Sequence, residues 1–199
     1  MQINSGIRYN DNGLTTSIRA MHLDSVLIGI SNENVGGFDK VGYQRKEAVF
    51  FSFAEFLGAH AVSTTKDDRV GRINVSGNPL DIALANKGYF QVQTPNGIKL
   101  TRDGRFKVAE DSSLQTLDGA SVLSSAGTPI KLPFIPQDLK QIKIDKSGKI
   151  TMFNPDTKKV MNIAQLGVVD ANGIVVMDPN VKQGYNEYSN VALHNFLSL

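Results

Sequence analysis

Two hydrophobic periods divide the chain. Over residues 14–30 the period is helical: Leu14, Ile18, Met21, Ser25 and Ile28 follow alternating steps of four and three, the spacing of a helix seam. Leu23, Val26, Leu27 and Ile30 lie off that seam and make the second half of the segment apolar nearly all round, so the helix needs partners on more than one side. Packing on its own domain and packing against another chain both satisfy that need. Asn34, Gly36 and Gly37 predict the stop, because Asn and Gly tolerate the left-handed backbone that ends helices. The first dozen residues, with Asn4, Asn10, Asp11, Asn12 and Gly13 nearby, predict a loose, turn-forming lead. Between residues 41 and 65, Phe50, Phe51, Phe53 and Phe56 cluster with a periodicity that fits strand and helix alike; this stretch is read as a connector.

From about Arg69 the period changes to two. Short alternating runs are punctuated by turn dipeptides, the pattern of antiparallel sheet. Residues 89–93 predict a strand, Pro95-Asn96-Gly97 its turn, and 98–102 the return. Asp103-Gly104 turns the chain into 105–108, Asp118-Gly119 separates 114–116 from 120–123, Ser147-Gly148 joins 141–144 to 150–153, and Asn172-Gly173 joins 166–169 to 174–177. Asn-Gly and Asp-Gly supply the positive φ angles of tight hairpins. Pro129, Pro133 and Pro136 mark an extended stretch between two hairpin groups. No βαβ alternation is visible, which argues against a parallel sheet. The expected fold is mainly β with an N-terminal α-helix: an antiparallel, sandwich- or barrel-like domain of hairpins plus a terminal helix.

Composition narrows the functional classes. With 199 residues, 41% of them hydrophobic, the chain can build one substantial core. Its 21 basic and 19 acidic residues are dispersed and leave a net charge of +2, so no basic block points to nucleic acid or an anionic membrane. No apolar run approaches the ~20 residues of a membrane span. The polar N-terminus lacks the apolar stretch of a cleaved secretory signal. Cysteine is absent, which removes disulfides, thiolate metal sites and thiol nucleophiles.

Reactive constellations are equally scarce. His22, His60 and His194 stand alone, without the spaced partners of a zinc site. Neither the Gly-x-Ser-x-Gly elbow nor a phosphate-binding loop occurs. Asp67-Asp68, Asp103 and Asp118 are the candidate carboxylates, and Asp103 and Asp118 each precede a glycine and are explained by their turns. No catalytic residue, metal or cofactor is expected.

Three segments resemble the flagellar rod-and-hook protein family. The central one reads Gly77-Asn78-Pro79-Leu80-Asp81, then Gly88-Tyr89-Phe90-Gln91-Val92, then Thr101-Arg102-Asp103-Gly104-Arg105-Phe106, in the family's order and over more than forty residues with Leu114 and Asp118-Gly119. It departs at Ala85-Asn86-Lys87, where many relatives carry a Gly-Asp pair. The second comprises Leu23-Asp24, Asn32, Asn34 and Gly37-Phe38 at the end of the helix, with Ile28-Gly29 where relatives usually carry Asn-Asn. The third is Gln183-Gly184-Tyr185-Asn186-Glu187-Tyr188-Ser189-Asn190-Val191, similar to the family's lead into a long last helix. Here eight residues follow Val191, too few at ~1.5 Å each to span a partner helix of the usual length.

The resemblance implies a non-enzymatic, rod-type subunit of the basal body, in the periplasm, that polymerises into the axial tube and transmits torque to the hook. A chain of this length has no room for the inserted domain typical of hook subunits. It implies export unfolded through the flagellar type III apparatus, without a cleaved signal. Its partners would be copies of itself, paralogous rod and hook subunits and the export apparatus, with ring proteins and peptidoglycan as further neighbours. The implied organisation is an N-terminal helical assembly segment (1–40), a connector (41–68), an antiparallel β domain (69–182) and a truncated C-terminal assembly segment (183–199). Leu14, Ile18, Met21, Val26, Leu27 and Ile28 are the expected inter-subunit surface. Asn32, Asn34, Gly37 and Phe38 would set the exit from the helix. Gly77, Asn78, Pro79, Leu80, Asp81, Arg102, Asp103 and Gly104 would frame the β domain, and Ser189, Asn190 and Val191 the C-terminal lead. Competing readings are an accessory family member that does not polymerise, a peptidoglycan-directed enzyme, and a carbohydrate-binding β module; the last sits poorly with a chain that has no Trp.

Overall fold

A computed structural model describes residues 9–53 and 59–192. Residues 1–8, Phe56 and the tail with His194 lie outside this range. The chain divides into two compact units, Met1–Gly36 with Arg45–Asp67, and Gly37–Gln44 with Asp68–Leu199.

The first unit holds helix α1 (Tyr9–Gly37) and a ribbon of β1 (Lys46–Phe53) and β2 (Ala59–Lys66). The helix begins within the expected polar lead, so Asn10, Asp11, Asn12 and Gly13 occupy its first turns. It ends where Asn34 and the Gly36-Gly37 pair predict. The ambiguous Phe-rich stretch is an antiparallel ribbon in register from Lys46↔Lys66 to Phe53↔Ala59. Aromatic residues on one arm and Val62, Thr64 and Thr65 on the other favour the pleated conformation. Its base closes through a 2.8 Å bond from the Asp67 amide to the Arg45 carbonyl.

The second unit contains β3 (Ile73–Val75), β4 (Ile82–Leu84), β5 (Tyr89–Thr94), β6 (Gly97–Thr101), β7 (Phe106–Val108), β8 (Leu114–Thr116), β9 (Ser121–Val122), β10 (Ile142–Ile144), β11 (Lys149–Asn154), β12 (Lys159–Gln165), β13 (Val168–Val169), β14 (Val181–Gln183) and β15 (Tyr185–Glu187). Every pairing among these strands is antiparallel. One sheet runs β13-β5-β9-β8-β7 with β6 also on β5; a second runs β10-β11-β12; and β14-β4 and β15-β3 form two pairs that join late strands to early ones. The fold is therefore mainly antiparallel β with one N-terminal helix, and among the described residues the sheets stay open and do not close into a barrel.

Alternation builds the core. Phe90 and Val92 on β5 point inward while Gln91 and Gln93 do not, and Phe90 meets Phe106 edge to face at 5.2 Å. Leu80, Ile82, Leu84, Ile142, Ile150, Met152, Leu166 and Val181 complete a single cluster shared by both sheets and the β14-β4 pair. Most of the dipeptide turns fall where the sequence places them, and Gly97, Gly119, Gly148 and Gly173 adopt positive φ; Asp103-Gly104 is the exception, since β6 and β7 do not pair and Gly104 has no positive φ. β12 has no counterpart in the sequence reading. Its return follows Lys158, a non-glycine residue at φ 52°, and a register shift at Ile150/Thr151 breaks the alternation that would have exposed it. The arm at 174–177 adds only the Val169↔Val175 bridge, and Pro179, with no amide to donate, follows it. Among the described residues, no helix is long and apolar enough to cross a membrane.

Candidate assembly interface

Helix α1 carries two apolar stripes. At 3.6 residues per turn, Leu14, Ile18, Met21, Ser25 and Ile28 share one line, and Asn32 and Val35 extend it in the same four-three rhythm. Leu14, Ile18, Met21 and Ile28 are 57–70% exposed within the chain. About half a turn away, Leu23, Val26 and Ile30 are half-buried and lead to buried Asn34 and Gly37. The six expected interface residues thus divide. Leu14, Ile18, Met21 and Ile28 share the open seam, Val26 belongs to the opposite stripe, and Leu27 lies near the edge of that stripe.

The exit from the helix is set by side chains that act as backbone. Asn34 Nδ2 donates to the Lys46 carbonyl and Asn34 Oδ1 accepts from the Lys46 amide, both at 2.8 Å, so the carboxamide substitutes for a strand neighbour at the start of β1. Glu33 pairs with Lys46 Nζ at the same place. Asn32 is exposed. In the second unit, a Cβ on Gly37 would fall 2.4 Å from the Tyr43 ring, and the Phe38 ring lies under the Arg72 guanidinium at 5.1 Å.

The frame residues converge on one buried ion pair. Arg102 and Glu187 are 2% and 4% exposed. Arg102 Nε donates to both Glu187 oxygens at 2.8 Å, and Nη2 lies 2.6 Å from Oε2. Nη1 reaches the carbonyls of Gly88 (2.7 Å) and Asn86 (3.2 Å), and Nη2 that of Leu84 (2.9 Å). Glu187 Oε1 also accepts from the Gly71 amide at 2.9 Å. One guanidinium therefore ties β15 to the loop between β4 and β5, with its donors matched to fixed acceptors.

The Gly77–Asp81 motif is a turn with the same purpose. Gly77 takes φ 77°. Asn78 Oδ1 accepts from the Leu80 amide, and its Nδ2 donates to Asp81 Oδ1, both at 3.1 Å. Asp81 then accepts from Asn186 Nδ2 through Oδ2 at 3.0 Å and from the Gly184 amide through its carbonyl at 2.7 Å. The Pro79 carbonyl accepts from Gln183 Nε2 at 2.8 Å, and Leu80 enters the core. Asp103 grips Arg105 through two bonds at 2.7 and 2.9 Å, and that hydrogen-bonded carboxylate raises the Arg105 pKa further. A Cβ on Gly104 would sit 1.7 Å from the Ile82 carbonyl oxygen, a contact only glycine escapes. Ser189, Asn190 and Val191 continue past β15: the Ser189 amide donates to the Lys40 carbonyl at 3.0 Å, Asn190 Nδ2 to the Arg69 carbonyl at 3.0 Å, and Val191 is buried.

The structure brings Asn78, Asp81, Arg102 and the 183–191 strap together, while the seam residues stand on the other unit. Glu187 and Gln183, which the sequence places in the third segment without a role, and Gly71, outside every motif, act as anchors. The signal for Glu187 was present: an acidic residue inside a motif matched to a buried strand requires a cation, and Arg102 is the cation of the central motif.

Among the described residues the structure thus holds a helix with an open apolar seam and a separately cored β unit whose polar network ties strands together. Comparison adds a likeness to known proteins. Residues 83–152 match the model of the flagellar hook protein FlgE/F/G D1 domain. The chain is 29% identical over 182 residues to the flagellar basal-body rod protein FlgF of Mesorhizobium japonicum, covering 85% of this chain and 76% of the relative. It is 31% identical over 106 residues to FlgF of Rhizobium meliloti (50% and 44%), and 29% identical over 163 residues to the basal-body rod protein FlgG of Bacillus subtilis (74% and 60%). The matched segment thus covers less than two thirds of the latter two relatives. The chain is thus similar to flagellar basal-body rod proteins over most of its length, and its residues 83–152 match the D1 domain of the hook and rod proteins.

Proposed function

We propose that this chain is a structural subunit of the flagellar basal-body rod that polymerises into the axial tube and passes torque toward the hook. The single observation that carries the reading is the open seam of α1. Four large apolar side chains in register, left in water, favour a partner helix from another chain. Contacts between unlike surfaces, repeated without closing, generate a helical polymer. In this reading residues 1–40 assemble, 41–68 connect, 69–182 form the outer layer, and 183–199 serve as a C-terminal assembly segment. Asn32, Asn34, Gly37 and Phe38 orient the helix, and the frame from Gly77 to Gly104 serves folding. The partners are further copies, paralogous rod and hook subunits and the type III export apparatus, with ring proteins and peptidoglycan alongside. The site of action is the periplasmic rod, and the role is non-catalytic.

Replacing Ile18 and Ile28 together by Asp tests it. The double variant keeps the near-ultraviolet circular dichroism of the β unit and no longer forms sedimenting polymers. Polymers of normal length from that variant remove the seam from the interface.

A further inference from the structure

The second unit carries an unused apolar tip past the start of β5 and a cleft alongside the strand. β13 pairs only with the start of β5, Val169 opposite Tyr89 and Val168 opposite Phe90, so the turn that follows β13 projects past that end. The turn is closed by Asp170, whose Oδ1 accepts from the Asn172 and Ile174 amides at 2.8 and 2.9 Å. It presents Ile174, Val175 and Met177 to solvent, Met177 at 90% exposure. Alongside β5, between Val92 and Thr94 of the strand, Thr101 of β6 and the Leu117-Asp118 turn, lies a cleft of about 560 Å³. Tyr43, Pro95 and Leu117 supply its apolar lining, with Lys40 and Lys99 on its rim.

The two surfaces differ in charge as well as shape. Residues 166–181 carry Asp170 and Asp178 and no Lys or Arg. At the cleft Arg105 is neutralised by Asp103, leaving Lys40 and Lys99 against Asp118. An acidic apolar tip and a cleft with a net positive rim are thus separate surfaces of the same unit.

We infer that the 170–178 tip of one copy docks in the Tyr43–Pro95–Leu117 cleft of a second copy. Tip and cleft are different surfaces of one unit, so the contact is heterologous and leaves a free tip and a free cleft after each addition. The complementary charges set the orientation of docking. The inference rests on the assembly reading above and adds a contact between β units to the one made by the helix seam.

The absence of cysteine makes the test direct. Met177→Cys and Leu117→Cys are made in separate full-length chains and in one chain together, then assembled and mildly oxidised. The mixed single variants are expected to give linked pairs, each alone far fewer, and the double variant a ladder. Asp178→Lys lowers the linkage yield about two- to fivefold and Lys99→Asp restores it, the range of an exposed ion pair. Sedimenting polymers are measured in the same samples. Polymers that form without a disulfide between the two introduced thiols overturn the docking and leave the rod reading standing. Linkage that survives Ile18→Asp/Ile28→Asp in the absence of polymers supports the docking and leaves the seam as a separate contact that polymerisation requires. Linkage only to a paralogous rod protein overturns the choice of a second copy.

Discussion

Replacing Arg102 by Met is the sharpest perturbation of the frame. It removes the cation from Glu187, which stays buried on β15, and withdraws donors from the Leu84, Asn86 and Gly88 carbonyls. Orphaning one member of a buried pair costs about 3–5 kcal/mol, a large share of the ~5–15 kcal/mol that holds a domain together. Adding Glu187→Leu removes the stranded charge. It leaves the three carbonyls and the Gly71 amide without these partners, so the double variant recovers only in part and remains about 1–3 kcal/mol below the parent. Four of the five tyrosines, Tyr43, Tyr89, Tyr185 and Tyr188, belong to the second unit, so near-ultraviolet circular dichroism follows its unfolding in urea. With a urea dependence of about 2 kcal/mol per molar, the single variant shifts the midpoint down by about 2 M. A shift under ~0.5 M, or a double variant no better than the single one, would refute the claim that this pair clamps β15 to the loop after β4.

Two smaller perturbations probe the separate parts. Asn34→Ala removes both bonds to Lys46 and destabilises the start of the ribbon by about 1–2 kcal/mol. Hydrogen exchange at the Lys46 amide should accelerate about tenfold while β5 amides keep their rates; unchanged Lys46 exchange contradicts the anchoring role. The Asp145 carboxyl is held below its ordinary 3.8, first by the Ser147 hydroxyl and then by the Lys149 amide and its neighbours. A depressed folded pKa stabilises above the unfolded value and the benefit is lost as pH falls through the lower folded one. Asp145→Asn, which keeps an acceptor for the turn, therefore flattens the loss of urea resistance below about pH 4; parallel acid profiles for parent and variant contradict it.

The parts of this fold that were legible in the sequence are local. Asn96-Gly97, Asp118-Gly119, Ser147-Gly148 and Asn172-Gly173 announce their turns because each needs a positive φ within two residues of a strand. The seam from Leu14 to Ile28 announces a helix because its spacing has no strand equivalent. What stayed hidden is non-local or locally degenerate. The sequence motifs offered no hint that β3 and β4 pair with β15 and β14, about a hundred residues later, or that Arg102 seeks a carboxylate 85 positions away. Phe50, Phe51, Phe53 and Phe56 satisfy both periods, so only the long-range register Phe50↔Val62 decides for a ribbon. Within the helix, the pattern could not say which stripe faces outward. That Val26 sits with Leu23 and Ile30 on the covered side depends on the placement of Asn34 against Lys46.

The most direct test of the central claim is to delete the gene and image the purified flagellar basal bodies by electron microscopy. The account predicts a rod that stops short and carries no hook, restored by the parent chain and not by the Ile18→Asp/Ile28→Asp variant. Complete, rotating flagella in the deletion strain would contradict it.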